Sequence, residues 1–417
     1  MNQKQALKIL KSKKNVFLTG PAGSGKTHLL REFVEYLKKK KKKHAVTAST
    51  GIAATHIDGT TLHSWAGIGI KESFTGKELQ KLADNKLMKE RFLTLDVLII
   101  DEISMVDARI LELVDEVCKA VRRSVQAFGG LQVIMCGDFF QLPPVRSDKT
   151  KPILAYNSIS WEKANLRVCY LDEQFRHEDD AYIQVLNDIR NKKANYDTEE
   201  ILQSRFQKPV SGEHYTTKLF ARNKDADVVN ELELEKLDGE AFSYAMRSKG
   251  KNNDVRQLKK DYNKIPQDLV LKIGSVVMFT KNKLELGYVN GTMGTVVDFW
   301  EDDDDLLLPV VRLKTGKRIS INFSSWSLEY NNSLVASIFQ IPLRLAWAIT
   351  IHKSQGMTLD TAEIDLANTF GHGMGYVALS RVRSLDTLNL TGFSRRAFLV
   401  DPEVGEMDTI FREVGEK

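Results

Sequence analysis

NVFLTGPAGSGKTHLL, residues 15–30, decides the fold. NVFL reads as a short buried strand. Gly20–Thr27 fits G-x-x-x-x-G-K-[ST], and Leu29, Leu30, Phe33, Val34 and Leu37 then recur at helical spacing. A strand, a glycine-rich turn and a helix in that order form an anion cradle, because backbone N–H groups at a helix start converge on phosphate oxygens. Gly20, Pro21, Ala22, Gly23, Ser24 and Gly25 supply the wrap, and His28 follows at its edge. Lys26 would neutralise the β- and γ-phosphates, and the Thr27 hydroxyl would bind Mg²⁺. The expected ligands are therefore ATP and Mg²⁺.

Three further apolar runs extend the pattern: HAVTAS, LDVLIID and LQVIMCGD. Val106, Ile110, Leu113, Val117 and Val121 mark a helix between the last two. Strands alternating with helices imply a parallel α/β sheet, whose ligands sit at strand carboxyl ends. Asp101 ends LDVLIID and suits the Mg²⁺ shell; Glu102, one position on, would deprotonate the attacking water. Gln141 in GDFFQLPP would sense the γ-phosphate and that water. Transition-state charge needs positive partners, and Arg176 in LDEQFRH and Arg381 in ALSRVRS are the candidates.

With 417 residues the chain exceeds one typical core, which points to two or three domains. A net charge of +5 permits nucleic-acid binding without requiring it. Three cysteines without C-x-x-C spacing exclude a disulfide framework and a zinc site. No apolar run reaches membrane-span length, and the N-terminus has no signal-peptide core, so a cytoplasmic protein, nucleoid-associated if bacterial, without a targeting segment is expected. Six lysines, Lys38–Lys43, read as a solvated helix end favoured by the dipole, with direct nucleic-acid contact as the alternative. A second α/β region starts near Arg167 and contains HYTTKLFARN. From about Lys272 short β-rich runs joined by NG, EDDDD and KTGK turns resemble a small antiparallel barrel. The α/β pattern returns at LRLAWAIT, followed by the polar run IHKSQGMTLD.

GPAGSGKT, TASTGIAA, GTTLHSWAGIG, DEISM, GDFFQLPPV, LDEQFRH, AITIHKSQGMTLD and GYVALSRVRS, in this order, resemble the motifs of Pif-type (petite integration frequency) helicases of superfamily 1B, related to RecD and Dda helicases. The likeness spans nearly the whole chain. It implies two RecA-like P-loop lobes with parallel sheets, residues 1–166 and 167–417. A wedge would lie at about 60–90 in the first, and a Src-homology-three-like (SH3-like) barrel at about 288–340 in the second. It also implies 5′→3′ translocation on single-stranded DNA and unwinding at single-/double-strand junctions, with G-quadruplexes and RNA–DNA hybrids as further substrates, by a monomer serving repair, recombination or replication. By position, Gln5 would read adenine, Arg176 and Arg381 would be arginine fingers, and Gly356 would lie near the γ-phosphate. Thr50, Gly51, Thr61, His63, Asn282, Thr350, His352 and Lys353 would contact DNA, whereas Trp65 would pack. Two other readings compete: a P-loop ATPase that remodels a protein partner, and a DNA-binding protein with ATP as a mere switch. The full set Lys26, Asp101, Glu102 and Gln141 argues against the switch.

Overall fold

The structure, a computed structural model, describes every residue except 56–58, 70, 72, 147–149, 177–178, 211–215, 263–264, 303–304, 331–332 and 417. His177 of LDEQFRH, the start of HYTTKLFARN and the middle of EDDDD thus lie outside the described residues. Two compact units result: Met1–Ser211 with Ile351–Lys417, and Gly212–Thr350.

In the first unit six parallel strands form one sheet: β1 (Val16–Thr19), β2 (His44–Ala48), β3 (Thr60–Thr61), β4 (Val97–Asp101), β5 (Gln132–Cys136) and β6 (Arg167–Tyr170), in the order β3-β2-β4-β5-β1-β6. β1 and β4 are buried along their whole length, which is why their sequences are unbroken apolar runs rather than alternating ones. Leu29, Leu30, Phe33 and Leu37 of the helix Lys26–Lys39 pack on this sheet with Val16, Leu18, Ile99 and Ile134. The lysine run leaves that helix exposed, with Lys38 paired to Glu35 and Lys42 to Asp96. Helices Leu62–Ala66, Gly76–Asp84 and Lys86–Leu93 follow β3. A second parallel pair, Ala362–Asp365 with Leu388–Gly392, completes the unit's strands among the described residues.

The second unit joins two kinds of sheet. Thr217–Phe220 pairs in parallel with Ala348–Thr350. Val276–Phe279, Met293–Glu301, Leu307–Leu313, Arg318–Ser320 and Leu343–Leu345 make a five-stranded antiparallel sheet around Val277, Phe279, Val296, Leu308 and Val311. A smaller sheet of Arg247–Gly250, Ser324–Tyr330 and Ser333–Gln340 carries the helix Asn252–Asp261 over Trp326 and Ile338.

The C-terminal helix Pro402–Glu416 packs against β6. Its Phe411 joins Phe17 of β1 (ring centroids 4.9 Å apart), Phe139 and Trp161 in one aromatic cluster. Phe17 is fully buried. Phe17→Ala is expected to cost about 3–5 kcal/mol in denaturant unfolding and to speed proteolytic cleavage at the C-terminal helix.

Candidate active site

Because β4, β5 and β1 are neighbours, their carboxyl ends bring Asp101, Gly137-Asp138 and the phosphate loop side by side. The loop needs its glycines. Gly25 has φ +82° and a Cβ there would strike the Gln3 amide; Gly20 has φ +145° and a Cβ would strike the Leu171 carbonyl. Glu102 leaves β4 in the left-handed region, φ 51° and ψ 47°, a strained setting for a residue with a side chain.

A cavity of about 250 Å³ opens over the loop, lined by Ala22, Gly23, Gly25, Lys26, Thr27, His28, Glu102, Gln141, Phe175, Arg176, Gly356 and Arg381. Residues more than 300 positions apart therefore share one wall. Lys26 Nζ donates to the carbonyls of Gly20 (2.8 Å) and Pro21 (2.9 Å). Burial pulls its ammonium below the usual range, opposed by the charge of Asp138. Arg176 donates to Ser380 O (3.0 Å). Arg381 is 1% exposed; its Nε donates to Val377 O (2.7 Å), and Nη1 to Ser354 O (3.3 Å) and Met357 O (3.1 Å). Burial, then repulsion from Arg176, works against the charge on Arg381.

Asp101 is 6% exposed. Burial, with Glu102 beside it, raises its carboxyl from 3.8 to about 7, and Asp101 Oδ1 accepts from Glu102 N–H at 2.9 Å. A buried carboxylate beside a second one fits a divalent cation. Thr27 and Asp101 are hard oxygen donors of the kind Mg²⁺ takes when phosphate and water complete its shell.

The remaining expected residues fall elsewhere. Gln5 is exposed and closes the capping box of the helix Gln3–Leu10, accepting from Asn2 N–H (3.1 Å). Gln3 reaches the loop instead, with Nε2 donating to Ser24 O (3.3 Å). Ser24 is fully buried. Thr50 Oγ1 accepts from Ala53 N–H in the turn where Gly51 begins a short helix. Thr61 caps the helix Leu62–Ala66. His63 is half-buried, and burial lowers its pKa. Trp65 packs on Phe92, rings 4.5 Å apart. His352 and Lys353 lie on the helix Ile351–Ser354, half-buried, with His352 stacked near Phe370. In the second unit Asn282 is exposed and accepts from Asn290 N–H (2.8 Å), and Thr350 is buried at a strand end.

Sequence reasoning passed over four buried groups. Tyr376 Oη accepts from Ala22 N–H (2.8 Å) and donates to Asp138 Oδ2 (3.1 Å). Arg190 pairs with Asp138 (3.2 Å) and Asp408 (3.1 Å). Asp138 carried a readable signal, a carboxylate just past an apolar strand, as at Asp101. Tyr376, Arg190 and Asp408 carried none.

Strand-end carboxylates, a phosphate loop and downstream arginines around one cavity define the nucleotide cleft of a P-loop enzyme. A family model described as PIF1-like helicase matches residues 1–200. The ATP-dependent DNA helicase Pif1 of Psychrobacter sp. (strain PRwf-1) is 41% identical, over 99% of this chain and 71% of its own length. The crystal structure of Pif1 helicase from Candida albicans is similar at a TM-score of 0.90 and 34% identity, covering 99% of this chain and 98% of that one. That of Pif1 helicase from Bacteroides in complex with ADP-AlF3 and ssDNA has a TM-score of 0.79 and 31% identity, with 99% and 96% covered. The chain belongs to the PIF1-like helicase family.

The folded-state pKa of Asp101 lies above the ordinary carboxylate value, so the folded chain holds this proton more tightly than the unfolded one. Stability therefore falls as pH rises from about 4 through 7. Asp101→Asn removes that loss. The nucleotide-free variant is expected to melt several degrees higher at pH 8, with a smaller gain at pH 5, by calorimetry.

Proposed function

We propose that this protein is an ATP-dependent DNA helicase that moves 5′→3′ along single-stranded DNA and opens duplex at single-/double-strand junctions. The observation that carries the reading is the shared cavity wall: the phosphate loop, Glu102, Gln141, Arg176, Gly356 and Arg381 surround one space in a chain of this family. The phosphate loop seats the triphosphate. Lys26 turns from the loop carbonyls to the β- and γ-phosphates. Mg²⁺, held by Thr27 and Asp101, would supply charge neutralisation at the phosphate oxygens. Glu102 orients and deprotonates the attacking water, Gln141 spans that water and the γ-phosphate, and Arg176 and Arg381 stabilise the charge that develops.

Thr50, Gly51, Thr61, His63, His352 and Lys353 of the first unit, and Asn282 and Thr350 of the second, would each contact DNA through phosphate contacts that do not read sequence. G-quadruplexes are further substrates, and the monomer is the working unit. Its place of work would be the cytoplasm, on nucleoid DNA if the protein is bacterial; among the described residues no helix is long and apolar enough to cross a membrane. The competing reading, remodelling of a protein partner, predicts ATP turnover indifferent to DNA.

ATP turnover with and without oligo-dT, together with unwinding of matched 5′- and 3′-tailed duplexes, tests the proposal. Stimulation by oligo-dT and selective opening of the 5′-tailed substrate are expected; turnover indifferent to DNA would refute it. Glu102→Gln should bind ATP and DNA normally and lose turnover by about 10²–10⁴-fold. Normal turnover would remove Glu102 from the role of base.

A further inference from the structure

Tyr376 is 1% exposed, and its phenolic oxygen makes two hydrogen bonds, accepting from Ala22 N–H (2.8 Å) and donating to Asp138 Oδ2 (3.1 Å). One atom thus touches both the phosphate loop after β1 and the segment that leaves β5. The helix that carries it, Met374–Leu379, is only six residues long. A helix so short has little stability of its own, so its place is set by what it packs against. Its start makes a second contact with the site. Gly373, the N-cap, has φ +74°, and a Cβ there would strike the carbonyls of Phe140 and Gln141 at 2.5 and 2.7 Å. The start of the helix therefore rests on the segment that carries Gln141.

The other end holds both cavity arginines. Arg381 follows the helix by two positions, and its Nε donates back to Val377 O within it (2.7 Å); Arg176 donates to the carbonyl of the C-cap, Ser380 (3.0 Å). Tyr182 Oη donates to Leu379 O (2.6 Å) at the same end. The anchor of the phenol is itself fixed: Asp138 is fully buried and pairs with Arg190 (3.2 Å), whose guanidinium lies 4.2 Å from the centre of the Phe140 ring. A slide or tilt of the helix would carry Arg176 and Arg381 with it relative to the loop. Misplacing such a group by about 1 Å can cost a rate about 100-fold.

We infer that Tyr376 is a positioning residue: its hydroxyl sets the register of the helix Met374–Leu379 on the phosphate loop, and through that helix the distance of Arg176 and Arg381 from the transferring phosphoryl group. The inference rests on the reading of these arginines as stabilisers of the developing charge, and adds to it the group that sets where they stand. Because that register matters where charge develops, it governs turnover rather than the seating of the nucleotide.

Tyr376→Phe removes the hydroxyl and keeps the ring. With oligo-dT and Mg²⁺ present, kcat for ATP is expected to fall about tenfold or more, the order of a lost hydrogen bond. KM and the affinity for ADP should stay within about twofold of the parent. Affinity for ADP with aluminium fluoride, which imitates the phosphoryl group in transfer, should fall by a factor like that of kcat. A purely structural role would lower the melting temperature and leave the ratio of the two affinities at its parent value, and that result would overturn the inference. Equal loss of both affinities would overturn it too, since the hydroxyl would then serve phosphate seating. Gly373→Ala reaches the same helix from its other contact, because the added methyl must push the helix start away from Phe140 and Gln141. It should split the two affinities in the same direction, and it decides the matter if the phenylalanine variant folds poorly; a parent-like ratio there overturns the inference. Arg381→Ala separates the two layers. Parent-like turnover and aluminium-fluoride affinity in that variant refute the charge-stabilising reading. Loss of both, beside a parent-like ratio in Tyr376→Phe, refutes the positioning role alone.

Discussion

One phenolic oxygen ties the nucleotide site together. Tyr376 Oη takes the N–H of Ala22 in the phosphate loop and gives its own hydrogen to Asp138 at the end of β5. Asp138 is fully buried and answers to Arg190, itself 1% exposed, and Arg190 answers in turn to Asp408 on the C-terminal helix. Tyr170 and Arg412 complete the hydrogen bonding of Asp408. Burying two carboxylates and a guanidinium is costly unless each finds partners, and removing one partner leaves an uncompensated charge. Burial and Asp138 hold the phenol in its neutral form, so Tyr376 can accept and donate at once.

That chain of contacts explains how a loop near residue 20 and a segment near residue 380 act as one site. Tyr376 and Arg381 leave the same stretch, the helix Met374–Leu379 and the turn after it. Fixing Tyr376 against the loop sets where Arg381 can stand. Asp138 precedes Gln141 by three residues, and Gln141 N–H donates to Asp138 O (3.0 Å), so the same anchor sets the glutamine.

How much of this was legible in the sequence depended on how local the signal was. β1, the phosphate loop and its helix were readable because each rests on spacing within a dozen residues. Asp101 and Glu102 were readable because an apolar run ends on them. Gln5, expected by position to read adenine, has its side chain engaged in a helix cap, and Gln3 approaches the loop. Helical capping is a local competitor that a motif does not announce. Arg190, Tyr376 and Asp408 were invisible for a different reason. A lone arginine in an amphipathic helix and a lone aspartate in another look like solvated residues until the fold buries them against each other.

The cavity's charges show what kind of ligand completes it. Lys26, Arg176 and Arg381 have each been stripped of much of their water, and burial acts against the charge on all three. Arg176 and Arg381 also repel each other. Apart from Arg381 Nη2, which donates to Ser380 Oγ, their donors rest on carbonyl oxygens of the chain, and the opposing charge of Glu102 and Asp138 offsets their burial only in part. A triphosphate supplies the rest, and the donors need only turn toward it, because the cost of gathering them was met when the protein folded. A site built this way stabilises the charge that shifts onto the leaving oxygen as the phosphoryl group transfers.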